Sequence, residues 1–420
     1  MVTPSSGAAA VSSTAGAGRS GAAATSTTSR AGAGTGTGGL AAIGGTRATA
    51  GASSTAGASV PAGSSGTGTS TAGTPATAAG SSGAAGKLSA GTGGVAGTAA
   101  GGPANDRCQI GVYDGTPPKA LTLKGNTFAH DPTLIEADGV YYRFWTGDYI
   151  PSATSTDLLT WRDGPTVYPK SYPAWSRDWL AGVSGQTFNF PWAPDASFFS
   201  GKYHIYSSFS AKFGDNISCI THLTTGNIAS EPWTDHGTVI CTKGSEKYNA
   251  IDADVGLDDA GKAYLAFGSF WDGIMAFPLD ENGSRVGTEL TRLAWAKEIE
   301  APVLFHRCGY YYLFVTWGLC CPGQSRTVDQ LTYRVAVGRS EHILGPYVDK
   351  AGVALVDGGG TLMVHGDDTF AAAGHSDVLV AQDRIYHLYH AYRRPRGDAE
   401  LRIVEMPFDQ DGWPVPAAGP

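Results

Sequence analysis

Beyond residue 125 the apolar positions recur in short alternating runs, with no sustained helical period. Five of these runs share one layout: an acidic or histidine position, an apolar stretch, a turn signal and an aromatic stretch. They read H-D-P-T-L-I-E-A-D-G-V-Y-Y-R-F-W from His130, P-D-A-S-F-F-S-G-K-Y-H-I-Y from Pro194 and I-D-A-D-V-G-L-D-D-A-G-K-A-Y-L-A-F from Ile251. The remaining two are E-A-P-V-L-F-H-R-C-G-Y-Y-Y-L-F-V from Glu300 and G-H-S-D-V-L-V-A-Q-D-R-I-Y-H-L-Y from Gly374. Turns are expected at Gly139, Gly201, Gly261, Gly309 and Asp383, and further hairpins at the D-G and N-G pairs 163–164, 282–283 and 411–412.

The lead positions Asp131, Asp195, Asp252, Glu300 and His375 stand 64, 57, 48 and 75 residues apart. Five similar all-β units at that spacing predict a five-bladed β-propeller over residues 106–420. The innermost strands of a propeller run along a common axis, so equivalent positions meet in a ring at one mouth of the channel. A ring of four acids and one histidine follows. The bland alternative at any one position is an Asp that caps a turn.

Residues 1–105 hold no Phe, Trp, Tyr, Asp, Glu or Cys and are almost wholly Gly, Ala, Ser and Thr. Such a chain buries too little apolar surface to offset the entropy of ordering it, so a disordered tether is expected. It lacks the charged start and apolar run of a secretory leader. Tethers of this kind accompany exported enzymes, so the leader is expected to be missing from the given start.

Residues 106–420 carry 37 acidic and 25 basic side chains, a net charge of −12. That balance argues against nucleic acid and anionic membranes and leaves neutral polymers open. No run of about 18 apolar residues is present to span a bilayer.

Cys108, Cys219, Cys241, Cys308, Cys320 and Cys321 permit disulfides in 15 connectivities, and buried thiols remain an alternative at the adjacent pair. No C-x-x-C metal spacing occurs. Gly358, Gly359 and Gly360 lack the following Lys and helix signal of a phosphate loop, and read instead as a tight backbone approach.

Several carboxyls in a narrow channel suit glycoside hydrolysis, in which one group protonates the leaving oxygen and another activates water. Like-charge repulsion and burial push the two pKa values apart. A bell-shaped pH dependence is then expected.

At these residues the chain resembles glycoside hydrolase family 43, and within it the endo-α-1,5-L-arabinanases. The matching segments are H-D-P at 130–132, W-A-P-D at 192–195, N-A-I-D at 249–252, G-S-F-W-D-G-I at 268–274 and E-A-P at 300–302. Y-Y-Y-L-F-V at 310–315, V-G-R-S at 337–340, G-G-G-T at 358–361, G-H-S at 374–376, Y-H-A-Y at 389–392 and D-G-W-P at 411–414 continue the set in order.

The resemblance implies an inverting mechanism: Asp131 the general base, Glu300 the general acid, and Asp252 a third carboxylate that raises the acid's pKa and orients it. The two working carboxyls should stand about 6.5–9.5 Å apart. The resemblance also places His375 near a calcium ion, largely through water; a hydrogen-bonded histidine in the funnel floor is the alternative. No organic cofactor is implied. Trp192 and Trp271 are candidate sugar platforms, with core packing the alternative. Asp195 is a candidate for binding sugar hydroxyls, with turn capping the alternative.

Plant arabinan or its oligosaccharides are the expected partner of an extracellular or cell-surface, monomeric enzyme. Rival readings are an exo-arabinanase, an α-L-arabinofuranosidase, a β-xylosidase or a carbohydrate-binding propeller without catalysis. Two departures from the family pattern bear on specificity. The connection from C-C-P-G at 320–323 to V-G-R-S is long, and R-R-P-R-G-D follows Y-H-A-Y. Arg393, Arg394 and Arg396 read as a solvated surface cluster or, alternatively, a subsite.

Overall fold

A computed structural model describes residues 106–183, 190–323 and 326–420. The predicted tether, residues 1–105, lies outside the described residues. The rest forms five sheets arranged as the blades of a propeller, antiparallel except where the short strand Lys124–Gly125 pairs parallel to Thr160–Asp163 at the edge of the first. Their innermost strands are Thr133–Ala137, Trp192–Phe199, Asp254–Leu257, Ile299–Arg307 and Phe370–Ala381, defining blades 1 to 5. Each packs against its neighbour, and the fifth packs against the first.

The alternation has a physical consequence in the core. Both faces of each sheet are covered by the adjoining blades, so apolar clusters fill the five blade interfaces, with two of them between blades 4 and 5. Leu134, Trp145 and Trp161 of blade 1, for example, meet Leu379, Leu388 and Ile403 of blade 5. The turns expected at Gly139, Gly201, Gly261, Gly309 and Asp383 occur, with left-handed backbone, and bridges Leu279–Arg285 and Phe408–Pro414 close the hairpins at 282–283 and 411–412. The hairpin expected at 163–164 does not form: past Asp163 the chain keeps running beside the preceding strand, with Gly164 N–H donating to Ser152 O and Val167 N–H to Ile150 O. Gly360 does serve a tight approach, since a Cβ there would press on the Trp317 ring.

Blade 5 has three strands of its own, ending at Asp398–Glu405. The segment before blade 1 lies along that last strand. Leu121 N–H donates to Ile403 O, and Leu401 N–H donates to Thr127 O. Residues early in the domain thus complete its last blade and close the ring. Cys108–Cys308 ties the same segment to blade 4, and Cys219–Cys241 joins two strands of blade 2. An eight-residue helix, Ala174–Ala181, between blades 1 and 2 is an element that strand periodicity does not predict.

At the channel mouth every inner strand contains, or in blades 1 and 3 is preceded two residues earlier by, a residue in the left-handed region: Asp131, Ala193, Asp252, Ala301 and His375, with φ of 53°, 42°, 57°, 51° and 49°. For non-glycine residues that conformation costs about 1 kcal/mol or more. Its recurrence in all five blades makes these the equivalent positions, and corrects the alignment expected from sequence. Asp131, Asp252 and His375 are true equivalents, whereas Glu300 stands one residue before its blade's position and Asp195 two residues after.

Two residues past the left-handed position lies a second ring: Thr133, Asp195, Asp254, Val303 and Asp377. Here side chains clasp the next blade. Ala196 N–H donates to Thr133 Oγ1, Leu304 N–H to Asp254 Oδ2 at 2.7 Å and Leu134 N–H to Asp377 Oδ2 at 2.9 Å. Val255 N–H bonds to the Asp195 carboxyl. Only Val303, which has no acceptor, breaks the series.

Asp254→Ala should leave the buried Leu304 N–H unpaired and destabilise the protein by about 1–3 kcal/mol. Asp254→Asn, which keeps an acceptor oxygen, should cost less. Urea unfolding of the two variants checks both the sign and the order.

Candidate active site

The mouth of the channel opens into a cavity of about 830 Å³. Two successive tiers of side chains line it. The upper tier, one residue before each left-handed position, supplies His130, Trp192, Ile251 and Glu300. The left-handed positions themselves supply Asp131, Asp252 and His375. A regular strand sends successive side chains to opposite faces; the left-handed residue breaks that alternation, so both tiers reach one space. The three carboxyls expected to work together therefore share one cavity, although 169 residues separate the first from the last.

Asp131 is almost buried, at 9% exposure. Thr146 Oγ1 donates to its Oδ2 at 2.6 Å, and Thr146 in turn accepts Ala193 N–H at 2.8 Å. His375 Nδ1 lies 3.2 Å from Oδ1, and His130 Nδ1 lies 3.6 Å from Oδ2. Burial alone would raise the pKa of this carboxyl. The flanking imidazoles and the Thr146 hydroxyl outweigh it, and hold Asp131 well below the usual carboxylate range. His390 is fully buried beneath, and its Nδ1 accepts Asp131 N–H at 3.0 Å. That bond needs the neutral ring, and burial pushes its pKa far down. His130, Asp131 and His390 bring ligand atoms within 4.8 Å of one another. With one nitrogen of His390 already accepting a backbone proton, this trio orients the carboxylate.

Glu300 and Asp252 sit in the opposite condition. Burial raises both; Asp131 repels Glu300, while Glu300 and then Asp131 repel Asp252. Tyr333 Oη and Ser269 Oγ bond to the two Glu300 oxygens at 2.5 and 2.8 Å, and moderate the rise. Asp252 accepts the N–H of Ala301, the residue after Glu300, and its own N–H donates to Ser208 Oγ at 3.0 Å. One carboxyl is thus kept ionised and a coupled pair is biased toward the protonated form.

Trp192 and Trp271 both line the cavity, and Trp271 stays 40% exposed. Phe213, 65% exposed, extends the wall edge-on to Trp192 at 6.1 Å. Asp195 does not line the cavity. It lies below, 7% exposed, in the ring that clasps the blades; its expected contact with sugar hydroxyls is replaced by a structural role. Arg393, Arg394 and Arg396 pair with Glu400, Asp329 and Asp398 away from the cavity, as a surface cluster does.

Tyr333, Ser269, Thr146 and His390 were not singled out from sequence. Tyr333 lies in the long connection flagged as a departure, and Ser269 and His390 lie inside quoted motifs, but nothing in their residue type marks them. The adjacent pair Cys320–Cys321 is bonded and lines the cavity too.

A carboxylate held ionised beside a carboxyl whose pKa burial and like charge raise, in an open cavity walled by aromatic rings, is the equipment of a glycosidase. The protein is an enzyme of that class. It belongs to the glycosyl hydrolases family 43, whose sequence model matches residues 125–414.

The chain is 34% identical over 313 residues to the extracellular endo-α-(1→5)-L-arabinanase 1 of Bacillus subtilis (strain 168), covering 72% of this chain and 93% of that protein. It is also 34% identical over 306 residues to an extracellular exo-α-(1→5)-L-arabinofuranosidase of Cellvibrio japonicus, covering 68% and 85%. Among solved structures, a GH43 endo-arabinanase from Bacillus licheniformis aligns with a TM-score of 0.64 at 36% identity, covering 70% of this chain and 99% of that one.

Gly374 tests the positioning of the candidate acid. A Cβ there would stand 2.4 Å from Tyr333 Cδ1 and 2.6 Å from Thr316 Cγ2. Gly374→Ala should displace Tyr333 and lower kcat on the order of 10–100-fold. Circular dichroism and steady-state kinetics together separate this loss from unfolding.

Proposed function

We propose that the enzyme is an inverting, endo-acting hydrolase of α-1,5-L-arabinofuranosidic bonds in arabinan. The observation that carries the reading is that one cavity holds Asp131, flanked by His130, His375 and the Thr146 hydroxyl, together with Glu300 and Asp252, two buried carboxyls that repel each other. Asp131, ionised and aimed by Thr146 and His390, draws a proton from water as it attacks the anomeric carbon. Glu300 delivers its proton to the departing glycosidic oxygen. Asp252 holds Glu300 in place through Ala301 N–H, and its proximity favours keeping a proton on the pair. Trp192, Phe213 and Trp271 offer flat apolar faces to the C–H surfaces of furanose rings.

An exo-acting reading stands second, because a relative named as an exo-enzyme matches at the same identity as the endo-enzyme. Linear arabinan separates the two. Endo action releases mixed oligosaccharides from the outset and drops viscosity faster than reducing ends appear. A single short product from the first minutes would overturn it. Proton NMR of the nascent product should show inversion at the anomeric carbon, and a retained anomer would sink the two-carboxyl roles.

Glu300→Gln should cost about 10²–10⁴ in kcat. In the parent, activity should persist on the acid side, because Asp131 stays ionised well below the usual range. It should fall on the alkaline side, as the raised Glu300–Asp252 pair loses its proton. A kcat/KM profile from pH 3 to pH 9 reads this asymmetry.

A calcium ion is part of the proposal. Burial pushes the His375 imidazole down, leaving it neutral and able to coordinate. In the ring below, Asp195 Oδ2 is buried without a hydrogen-bond partner among the described residues. A hard cation prefers such oxygens. His375 and Asp195 would hold the ion through water, and its charge would offset the buried acids. Chelator treatment should lower Tm by a few degrees, with recovery on adding calcium. No response in Tm or activity would remove the ion from the scheme.

Export fits the same reading. Three disulfides suit an oxidising compartment, and the two relatives above are named extracellular.

A further inference from the structure

The cavity has two unlike walls. Blades 2 and 3 contribute Phe190, Trp192, Phe213 and Trp271; the facing side is formed by Leu319, Cys320, Cys321 and Arg326. That side follows directly from the strand that carries the candidate acid's neighbour. Thr316 pairs with Glu300 across the sheet, and Gly318 N–H donates to Glu298 O. The chain then turns across blade 5 toward blade 1. Cys321 N–H donates to Tyr392 Oη at 3.3 Å, and Cys321 Sγ lies 3.8 Å from both Tyr392 Oη and His130 Nε2. Tyr392 Oη and His130 Nε2 are themselves 3.0 Å apart, and His130 flanks Asp131. Arg326 Nη1 donates to Cys320 O at 2.6 Å. Both cysteines are half-buried, with Cys321 in the left-handed region at φ 69°.

We propose that the Cys320–Cys321 disulfide is a substrate-contacting, specificity-determining element: its two sulfurs form a rigid apolar wall against which a sugar ring of the bound chain packs beside Glu300. The proposal rests on the arabinanase reading. A bond between neighbouring residues closes a small ring in the backbone, and so presents both sulfurs on one short, stiff turn. Sulfur is large and polarizable, and suits contact with the C–H face of a furanose. Arg326 adds donors for the hydroxyl edge, which an apolar wall alone cannot satisfy. The sugar is thus held between sulfur on one side and indole or phenyl on the other. The same sulfurs keep Tyr392 and His130 in place, so the wall and the base share a support.

Ligand protection tests the contact directly. Glu300→Gln protein is titrated calorimetrically with linear arabino-oligosaccharide to establish binding. It is then reduced with a phosphine and alkylated, with and without saturating oligosaccharide. Mass spectrometry should show Cys320 and Cys321 labelling slowed at least fivefold by the sugar, and Cys219 and Cys241 labelling unaffected. Equal labelling of Cys320 and Cys321 with sugar bound overturns the proposal and leaves the arabinanase reading intact.

Kinetics supply the second arm. The Cys320→Ala/Cys321→Ala double variant should raise KM for arabino-oligosaccharides at least fivefold, with a smaller fall in kcat. Reduction should raise KM in the parent and change it no further in that variant. An unaltered KM in a folded double variant refutes the sulfur wall. A parent inactive on arabinan, with no sugar bound by Glu300→Gln, refutes both readings together. Should the double variant not fold, the labelling experiment decides alone, because it uses the native cysteines.

Discussion

The mouth of this propeller depends on one hydrogen bond repeated between blades: a side chain of one inner strand accepts the backbone N–H of the next. Thr133, Asp195, Asp254 and Asp377 each make it. Because donor and acceptor occupy the same positions in successive strands, the bond fixes the relative height of the blades. The left-handed residues two positions earlier then fall level, and the cavity acquires its tiers. Carboxylates are costly in this place. Burial raises the pKa of Asp195, Asp254 and Asp377, the last to about 6. The backbone donors they satisfy are the return, since a buried N–H without an acceptor is itself destabilising.

Between blades 4 and 5 the clasp is missing. Val303 stands where an acceptor would be, and Asp377 instead takes the N–H of its own successor, Val378, at 2.6 Å. The strand concerned carries Glu300. That strand keeps its clasp to blade 3 through Leu304 N–H and Asp254, and Glu300 itself is held by Tyr333, Ser269 and the backbone of Ala301 beside Asp252. The candidate acid is therefore positioned by side chains of the cavity, whereas the candidate base is positioned by Thr146, which also accepts a hydrogen bond from Ala193 N–H of the neighbouring blade. Ordering the first requires the site; ordering the second requires only the fold.

How much of this was legible follows from what residue type can encode. Alternation and turn chemistry revealed five units and their hairpins, because period-2 burial and left-handed turns leave marks in the sequence. The equivalent positions did not leave such marks. A left-handed backbone is occupied here by Asp, Ala, Asp, Ala and His, and no residue pattern distinguishes those from their neighbours. Aligning the units on acidic residues brought Asp195 and Glu300 into one set, though they belong to different tiers. Asp195 looked like a ligand for sugar and is a rivet between blades. Tyr333, Thr146 and His390 were hidden for another reason. They reach the site from the second strand of blade 5 or from just beyond the ends of second and third strands, where an aromatic, a threonine or a histidine reads as ordinary filling. The closing of the ring by residues 119–129 was equally silent, since that segment forms isolated bridges where a regular strand would have shown alternation.

Asp131 and Asp252 show where the chemistry resides. They occupy equivalent positions, share the left-handed backbone and are exposed to 9% and 7%. Fold and burial treat them alike, yet one is driven below the carboxylate range and the other above it. The difference is in what stands beside each. Before Asp131 comes His130, and His375 and the Thr146 hydroxyl complete its surroundings. Before Asp252 comes Ile251, and the charge that acts on it most is that of Glu300. A repeated scaffold therefore supplies two interchangeable carboxyls, and a few adjacent side chains assign one to hold a negative charge and the other to share a proton. Exchanging those neighbours, and not the acids themselves, is what would reverse the roles.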